Sequence, residues 1–168
     1  TLHCYAEHGS VNIPEIIVKS CNVGTVKAVQ EVPDGRLYQH LREFGFGNLT
    51  GIGLPGEARG VLRRPSHWSA LTKPSMAIGQ GVSTTALQLT NALGATVNGG
   101  NLMEPRLVRK TVRDGEVRKT EPNKIRRVLP RDIADQLRVY MESVVSEGTG
   151  RRAYSDDYRL GGKTGTAQ

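Results

Sequence analysis

Apolar positions recur along this chain in short periodic runs, each closed by glycine, proline or a polar cluster. Ile13, Ile16, Ile17 and Val18 fall at helical spacing around Pro14, a residue suited to a first turn, and predict a short helix over residues 14–18. The polar stretch Lys19-Ser20-Cys21-Asn22 interrupts the run, helical character resumes over residues 23–32, and Pro33 stops it. Ser20, Cys21 and Asn22 are thereby placed on a bend between two helical pieces, where side chains project into a cleft instead of packing. An amphipathic helix follows over residues 34–44, with Leu37, Leu41 and Phe44 on one face, and Gly45-Phe46-Gly47 ends it.

Residues 48–75 show little periodicity and many glycines and prolines, so they read as a long surface segment of the kind that often carries function. Residues 75–81 read as a short buried strand or turn. The strongest helix then runs from Thr84 or Thr85 to Asn98, with Ser83 or Thr84 as cap and Gly99-Gly100 as stop. Its Ala86, Leu89, Ala92, Leu93 and Val97 make it the expected central core helix. Residues 106–112 and those from Val117 onward predict a β-hairpin about Asp114-Gly115. A second long helix spans residues 130–145, with Ile133, Leu137, Tyr140, Met141 and Val144 along one side, and Gly148-Thr149-Gly150 breaks it. Leu160 enters a final strand. There is no internal repeat.

At 168 residues, 37% hydrophobic and 23% charged, the chain suits one globular domain with a sizeable core. No run is long enough to span a bilayer and no signal peptide opens it. The opening Thr1-Leu2-His3-Cys4 and the abrupt end read as the middle of something larger. Net charge is +7, but the basic residues are scattered and aromatics make up only 5%, which argues against a nucleic-acid platform. Cys4 and Cys21 make no disulfide framework; they could pair, or stay as buried thiols. With His3 and His8 they match no standard zinc spacing, so no metal is assigned and no cofactor is expected.

The chemistry concentrates in Gly161-Gly162-Lys163-Thr164-Gly165-Thr166-Ala167-Gln168. Read as an edge strand, it offers hydroxyls from Thr164 and Thr166, charge from Lys163, and close backbone approach at Gly165. Such a surface holds a carboxylate and polarises a carbonyl. A phosphate-binding P-loop would need glycine where Asp157 stands, which excludes it. Lys-Thr-Gly also belongs to a motif set in which it accompanies Ser-x-x-Lys and a Ser-x-Asn type element.

Ile17-Val18-Lys19-Ser20-Cys21-Asn22-Val23-Gly24 supplies that second element, and more segments follow in matching order. They are Phe44-Gly45-Phe46-Gly47, Gly51-Ile52-Gly53-Leu54-Pro55-Gly56-Glu57, Ile78-Gly79-Gln80-Gly81 running into Thr85-Ala86-Leu87-Gln88-Leu89, and Glu147-Gly148-Thr149-Gly150. Over essentially its whole length the chain resembles the class B penicillin-binding proteins, closer to the division and sporulation type than to compact β-lactamases. The resemblance implies an α/β (α+β) transpeptidase domain of the serine β-lactamase-like kind, a helical subdomain on an antiparallel sheet, incomplete at both ends. No serine here has lysine three residues on, so the nucleophile motif, membrane anchor and pedestal are expected upstream and the last strands downstream. Unpaired sheet edges would leave such a piece poorly stable alone.

What the resemblance implies is a peptidoglycan D,D-transpeptidase. A serine attacks the penultimate D-Ala carbonyl of a stem peptide, D-Ala leaves, and an amine of a neighbouring stem takes the acyl group; β-lactams mimic the donor. Ser20 would relay a proton to the leaving nitrogen, Asn22 would bind the substrate amide carbonyl, and Lys163 would raise the local positive potential. Thr164 and Thr166 would hold the terminal carboxylate, the Thr166 N–H would form half of an oxyanion hole, and Gly165 would permit close approach. The implied partners are stem peptides, β-lactams, a glycosyltransferase and other cell-wall synthesis proteins, at the extracytoplasmic side of a bacterial plasma membrane. The alternative is an inactive penicillin-binding scaffold or sensor. In some elongation-type relatives a histidine and a cysteine in this region resemble a zinc site, which His8 and Cys21 could match, with further ligands open.

Overall fold

Two short helices meet at the predicted bend. The computed structural model describes residues 2–165, and α1 (Ile13–Val18) begins with a capping box in which Asn12 and Glu15 satisfy each other's backbone N–H groups. Pro14 lies in its first turn, as expected. Lys19 and Ser20 turn the chain, and Cys21 caps α2 (Asn22–Gln30) by accepting the Gly24 N–H at its Sγ, 3.3 Å away. A Cβ on Gly24 would lie 2.7 Å from Ile16 Cγ1, so glycine there lets α1 and α2 pack closely.

Helix α3 (Asp34–Glu43) follows Pro33 directly. The α2–α3 junction is held by Lys73, whose ammonium donates to the carbonyls of Gln30 and Val32 and pairs with Asp34 at 3.1 Å. Lys73 belongs to α4 (Thr72–Ala77), where a strand or turn had been expected over residues 75–81. Pro74 reads in sequence as a loop residue, but it sits in the first turn of α4, where no intrahelical N–H is required of it. The rest of residues 48–75 is irregular, as expected, apart from a 3-10 turn at Pro65–His67.

Helix α5 (Ala86–Val97) is capped by Thr85, not by Ser83 or Thr84, in a capping box with Gln88. Gln88, only 2% exposed, also donates to the carbonyls of Asn48 (2.7 Å) and Arg59 (2.8 Å), stapling the irregular segment to this helix. The buried face is Gln88, Ala92 and Ala95, whereas the expected core residues Leu89, Leu93 and Val97 are exposed. The buried stripe lies about 100° round the helix from the leucines. Small residues there let α5 lie closely against β1 (Asn101–Met103) and α6 (Arg131–Ser146).

Strand β1 pairs antiparallel with β4 (Lys124–Arg127), Leu102 facing Arg126, and a register shift follows Leu102. Ala95, Leu102 and Val128 form a small core against which Phe44 and Leu129 pack. The predicted hairpin is β2 (Lys110–Arg113) with β3 (Glu116–Lys119), joined by Asp114 and Gly115, both at positive φ as a two-residue hairpin turn requires. All eight strand residues are exposed. Helix α6 starts after Pro130, buries Ala134, Val144 and Val145, and packs on α1 and α5. Residues 159–165 are described without strand pairing, so the final strand is not formed among the described residues. That segment is held instead by Gly162 N–H to Met141 C=O (3.0 Å) and by an Arg159–Glu142 ion pair, both on α6.

Candidate active site

The bend after α1 is tight. Cys21 N–H returns to Ile16 C=O at 2.9 Å, and Ser20 takes φ +52°, a left-handed conformation that costs a residue with a Cβ about 1 kcal/mol. The reward is direction: the Ser20 hydroxyl meets the segment returning from α6. Lys163 Nζ donates to Ser20 Oγ at 2.7 Å and to its neighbour's carbonyl, Thr164 C=O, at 3.0 Å. A longer approach, 3.4 Å, brings it to Thr164 Oγ1. Loss of water around this ammonium pushes the Lys163 pKa below the ordinary lysine value, because burial disfavours the charged form.

Thr164 Oγ1 lies 2.8 Å from Thr149 Oγ1, so the polar chain continues from Ser20 through Lys163 and Thr164 to the loop after α6. Thr149 was visible only as part of the Glu147-Gly148-Thr149-Gly150 segment; no spacing marked its hydroxyl. The loop is pressed against the bend: Thr149 N–H donates to Val18 C=O at 3.3 Å, and a Cβ on Gly148 would sit 2.5 Å from that same oxygen.

Among the residues expected at the site, the structure brings Ser20, Lys163 and Thr164 together. Asn22, the first residue of α2, turns its side-chain NH₂ to His3 C=O at 3.4 Å and does not join that chain of contacts. A Cβ on Gly165 would meet nothing within 4 Å among the described residues. Thr166 lies outside the described residues.

A second cluster sits behind the bend. The donor atoms of Cys4, His8 and Cys21 all fall within 4.8 Å of one another, with the two sulfurs 3.5 Å apart. Each sulfur accepts a backbone N–H, Cys4 from Val23 and Cys21 from Gly24, and both buried ring nitrogens of His8 have no hydrogen-bond partner among the described residues. Burial pushes the Cys21 thiol pKa up. Two thiols and an unpartnered imidazole are the donor set of a soft divalent ion, and these residues fit one. Cys4, outside the match to elongation-type relatives, supplies a third donor.

Residues 3–168 match the family described as the penicillin binding protein transpeptidase domain. The chain belongs to this family. It is 38% identical over 172 residues to stage V sporulation protein D of Bacillus subtilis, covering 99% of this chain and 27% of that protein. It is 30% identical over 164 residues to peptidoglycan D,D-transpeptidase FtsI of Escherichia coli, covering 97% and 26%. Penicillin-binding protein 3 of Mycobacterium tuberculosis, solved with ampicillin, superposes with a TM-score of 0.90 at 38% identity over 99% of this chain and 39% of that one. The chain thus has the family fold, helices with small antiparallel sheets, and spans about a quarter of the length of its curated relatives.

Proposed function

We propose that the full-length protein is a serine-type peptidoglycan D,D-transpeptidase and a target of β-lactams. One observation carries the reading: the hydrogen bond between Lys163 and Ser20, which sets the Ser-x-Asn bend face to face with the Lys-Thr-Gly segment. The nucleophile is a serine of a Ser-x-x-Lys motif upstream of residue 1. Ser20, whose oxygen accepts from Lys163, donates its hydroxyl proton to the leaving nitrogen so that D-Ala departs as the amine, and it is reprotonated by the proton that the attacking serine gives up. The Lys163 charge favours the anion that develops on the attacked carbonyl oxygen and draws in the substrate's terminal carboxylate. Thr164 and Thr166 hold that carboxylate, with the Thr166 N–H as an oxyanion donor and Gly165 leaving room for the extended peptide. Asn22 reaches the substrate amide once its weak bond to His3 C=O is exchanged for it.

The names of the relatives support a place in cell-wall synthesis, and we extend this to a protein anchored in the plasma membrane with this domain outside the cytoplasm. No helix among the described residues is long and apolar enough to cross a membrane, so an anchor would lie in another part of the protein. A glycosyltransferase and other cell-wall synthesis proteins are its proposed partners. Cys4, His8 and Cys21 would hold a zinc ion, whose chemistry there is a crosslink that ties the N-terminal segment to the Ser20 bend.

Mass spectrometry of the full-length protein after incubation with a penicillin tests the reading. The expected result is a covalent adduct on a serine upstream of residue 1 that is lost in Lys163→Ala and in Asn22→Ala. A folded protein that takes no adduct would instead be an inactive scaffold or sensor.

A further inference from the structure

The loop after α6 takes no part in the reaction as drawn, yet it touches both arms of the site. Its backbone is fixed on one side by Gly148 N–H to Ser143 C=O and Gly150 N–H to Val144 C=O, and on the other by Thr149 N–H to Val18 C=O. Gly148 allows the loop backbone to reach the bend that carries Ser20. With its backbone so held, Thr149 aims its hydroxyl at Thr164 Oγ1, 2.8 Å away.

A hydroxyl has one proton to give and two lone pairs with which to accept. Lys163, a donor only, approaches Thr164 Oγ1 and uses at most one lone pair. If Thr164 spent its proton on Thr149, nothing would be left for an anion. If Thr149 is the donor, Thr164 Oγ1 accepts from Thr149 and from Lys163 and keeps its own proton for an anion. We infer that Thr149 is a positioning residue, whose hydroxyl donates to Thr164 and thereby turns the Thr164 proton toward the carboxylate of the acyl donor. This rests on the reading of Thr164 as a carboxylate holder, and it makes the protein selective for donors that carry a free carboxylate.

The test compares acylation rates of the full-length protein by benzylpenicillin and by its methyl ester, which lacks the anion. Thr149→Val should lower the rate with benzylpenicillin by about tenfold, the loss of one well-placed hydrogen bond to a charged ligand, and leave the ester's rate unchanged. Thr149→Ser, which keeps the hydroxyl, should restore the preference. An equal fall for both compounds would reduce Thr149 to a packing residue, and no fall for either would remove its role; both overturn the inference. A wild-type protein that benzylpenicillin does not acylate overturns the transpeptidase reading as well, whereas acylated wild type with unchanged selectivity in Thr149→Val overturns only the inference.

Discussion

Lys163 Nζ donates to Ser20 Oγ at 2.7 Å, although 143 positions of chain separate them. Neither residue is held there by a local element: Ser20 is on a left-handed turn and Lys163 is on a segment fixed to α6. If the pair acts as a unit in proton delivery, their effects are not independent. Ser20→Ala and Lys163→Ala should each slow penicillin acylation of the full-length protein by about 10²–10⁴-fold, the usual worth of positioned proton transfer. The double variant should be little slower than either single one. Multiplying effects in the cycle would separate the two roles.

Lys163 also predicts a pH dependence. Its charged form has lost water, so it releases its proton below the ordinary lysine value of 10.5. The unfolded chain then binds more protons than the folded one in that window, and stability rises with pH through it. Activity behaves oppositely, since the neutral amine no longer polarises the site. The alkaline limb of the acylation rate should begin below pH 10.5 and move upward in Lys163→Arg, because arginine stays charged. A limb that does not respond to this substitution would belong to another group.

Glu57 has the same sign of linkage at the acid end. Its carboxylate accepts the Thr50 hydroxyl and the Thr50 backbone N–H, both at 2.6 Å, and these bonds hold its pKa below the usual carboxylate value of 4.5. The stability from this clamp is fully present above pH 4.5 and is lost as pH falls through the lowered value. Protection of the Thr50 amide against hydrogen exchange, corrected for intrinsic rate, should fall in acid in the wild type. Glu57→Gln should lower it at neutral pH and flatten the acid dependence.

Two glycines should respond to alanine with opposite signs. Gly94 lies inside α5 with open space where a Cβ would go, so Gly94→Ala should stabilise by about 0.5–1 kcal/mol. At Gly100 the φ is +87° and a Cβ would lie 2.1 Å from Leu129 C=O, beside the Ala95–Leu102–Val128 core. Gly100→Ala should destabilise by about 1–3 kcal/mol or more. Denaturant unfolding of the full-length protein, followed by a probe in this domain, measures both.

Zinc should raise the unfolding temperature of the thiol-reduced protein and bind near one equivalent. Cys21→Ser, Cys4→Ser and His8→Ala should each weaken that binding, since all three donors converge within 4.8 Å. A thermal shift that survives all three substitutions would place the ion elsewhere.

Long elements and residue motifs were legible in the sequence, and the tertiary roles of single polar groups were not. The periodicity of Ile133 to Val144 and the Asp114-Gly115 pair marked α6 and the hairpin, because each pattern is local. Strands β1 and β4 were missed: three and four residues are too short to show alternation, and Lys124-Ile125-Arg126-Arg127 looks like a basic run. In α5 the apolar stripe pointed to Leu89 and Leu93, while the structure buries Gln88, whose polar side chain serves carbonyls 29 and 40 positions away. The same holds at the site. Ser20, Lys163 and Thr164 could be named from their motifs, but the Thr149 hydroxyl acquires its meaning only when the loop after α6 meets the segment 15 residues on.

Every residue of both strands of the β2–β3 hairpin faces solvent, and none of them belongs to the polar chain that joins Ser20, Lys163, Thr164 and Thr149. Its register is set within itself, by the Asp114-Gly115 turn and the facing Val112 and Val117. Exposed loop tips of this kind accept inserted sequence with little disturbance. The tip between Asp114 and Gly115 is therefore a place to splice in a fluorophore-acceptor peptide. A label there would report where the protein travels in a growing cell while leaving its acylation chemistry untouched.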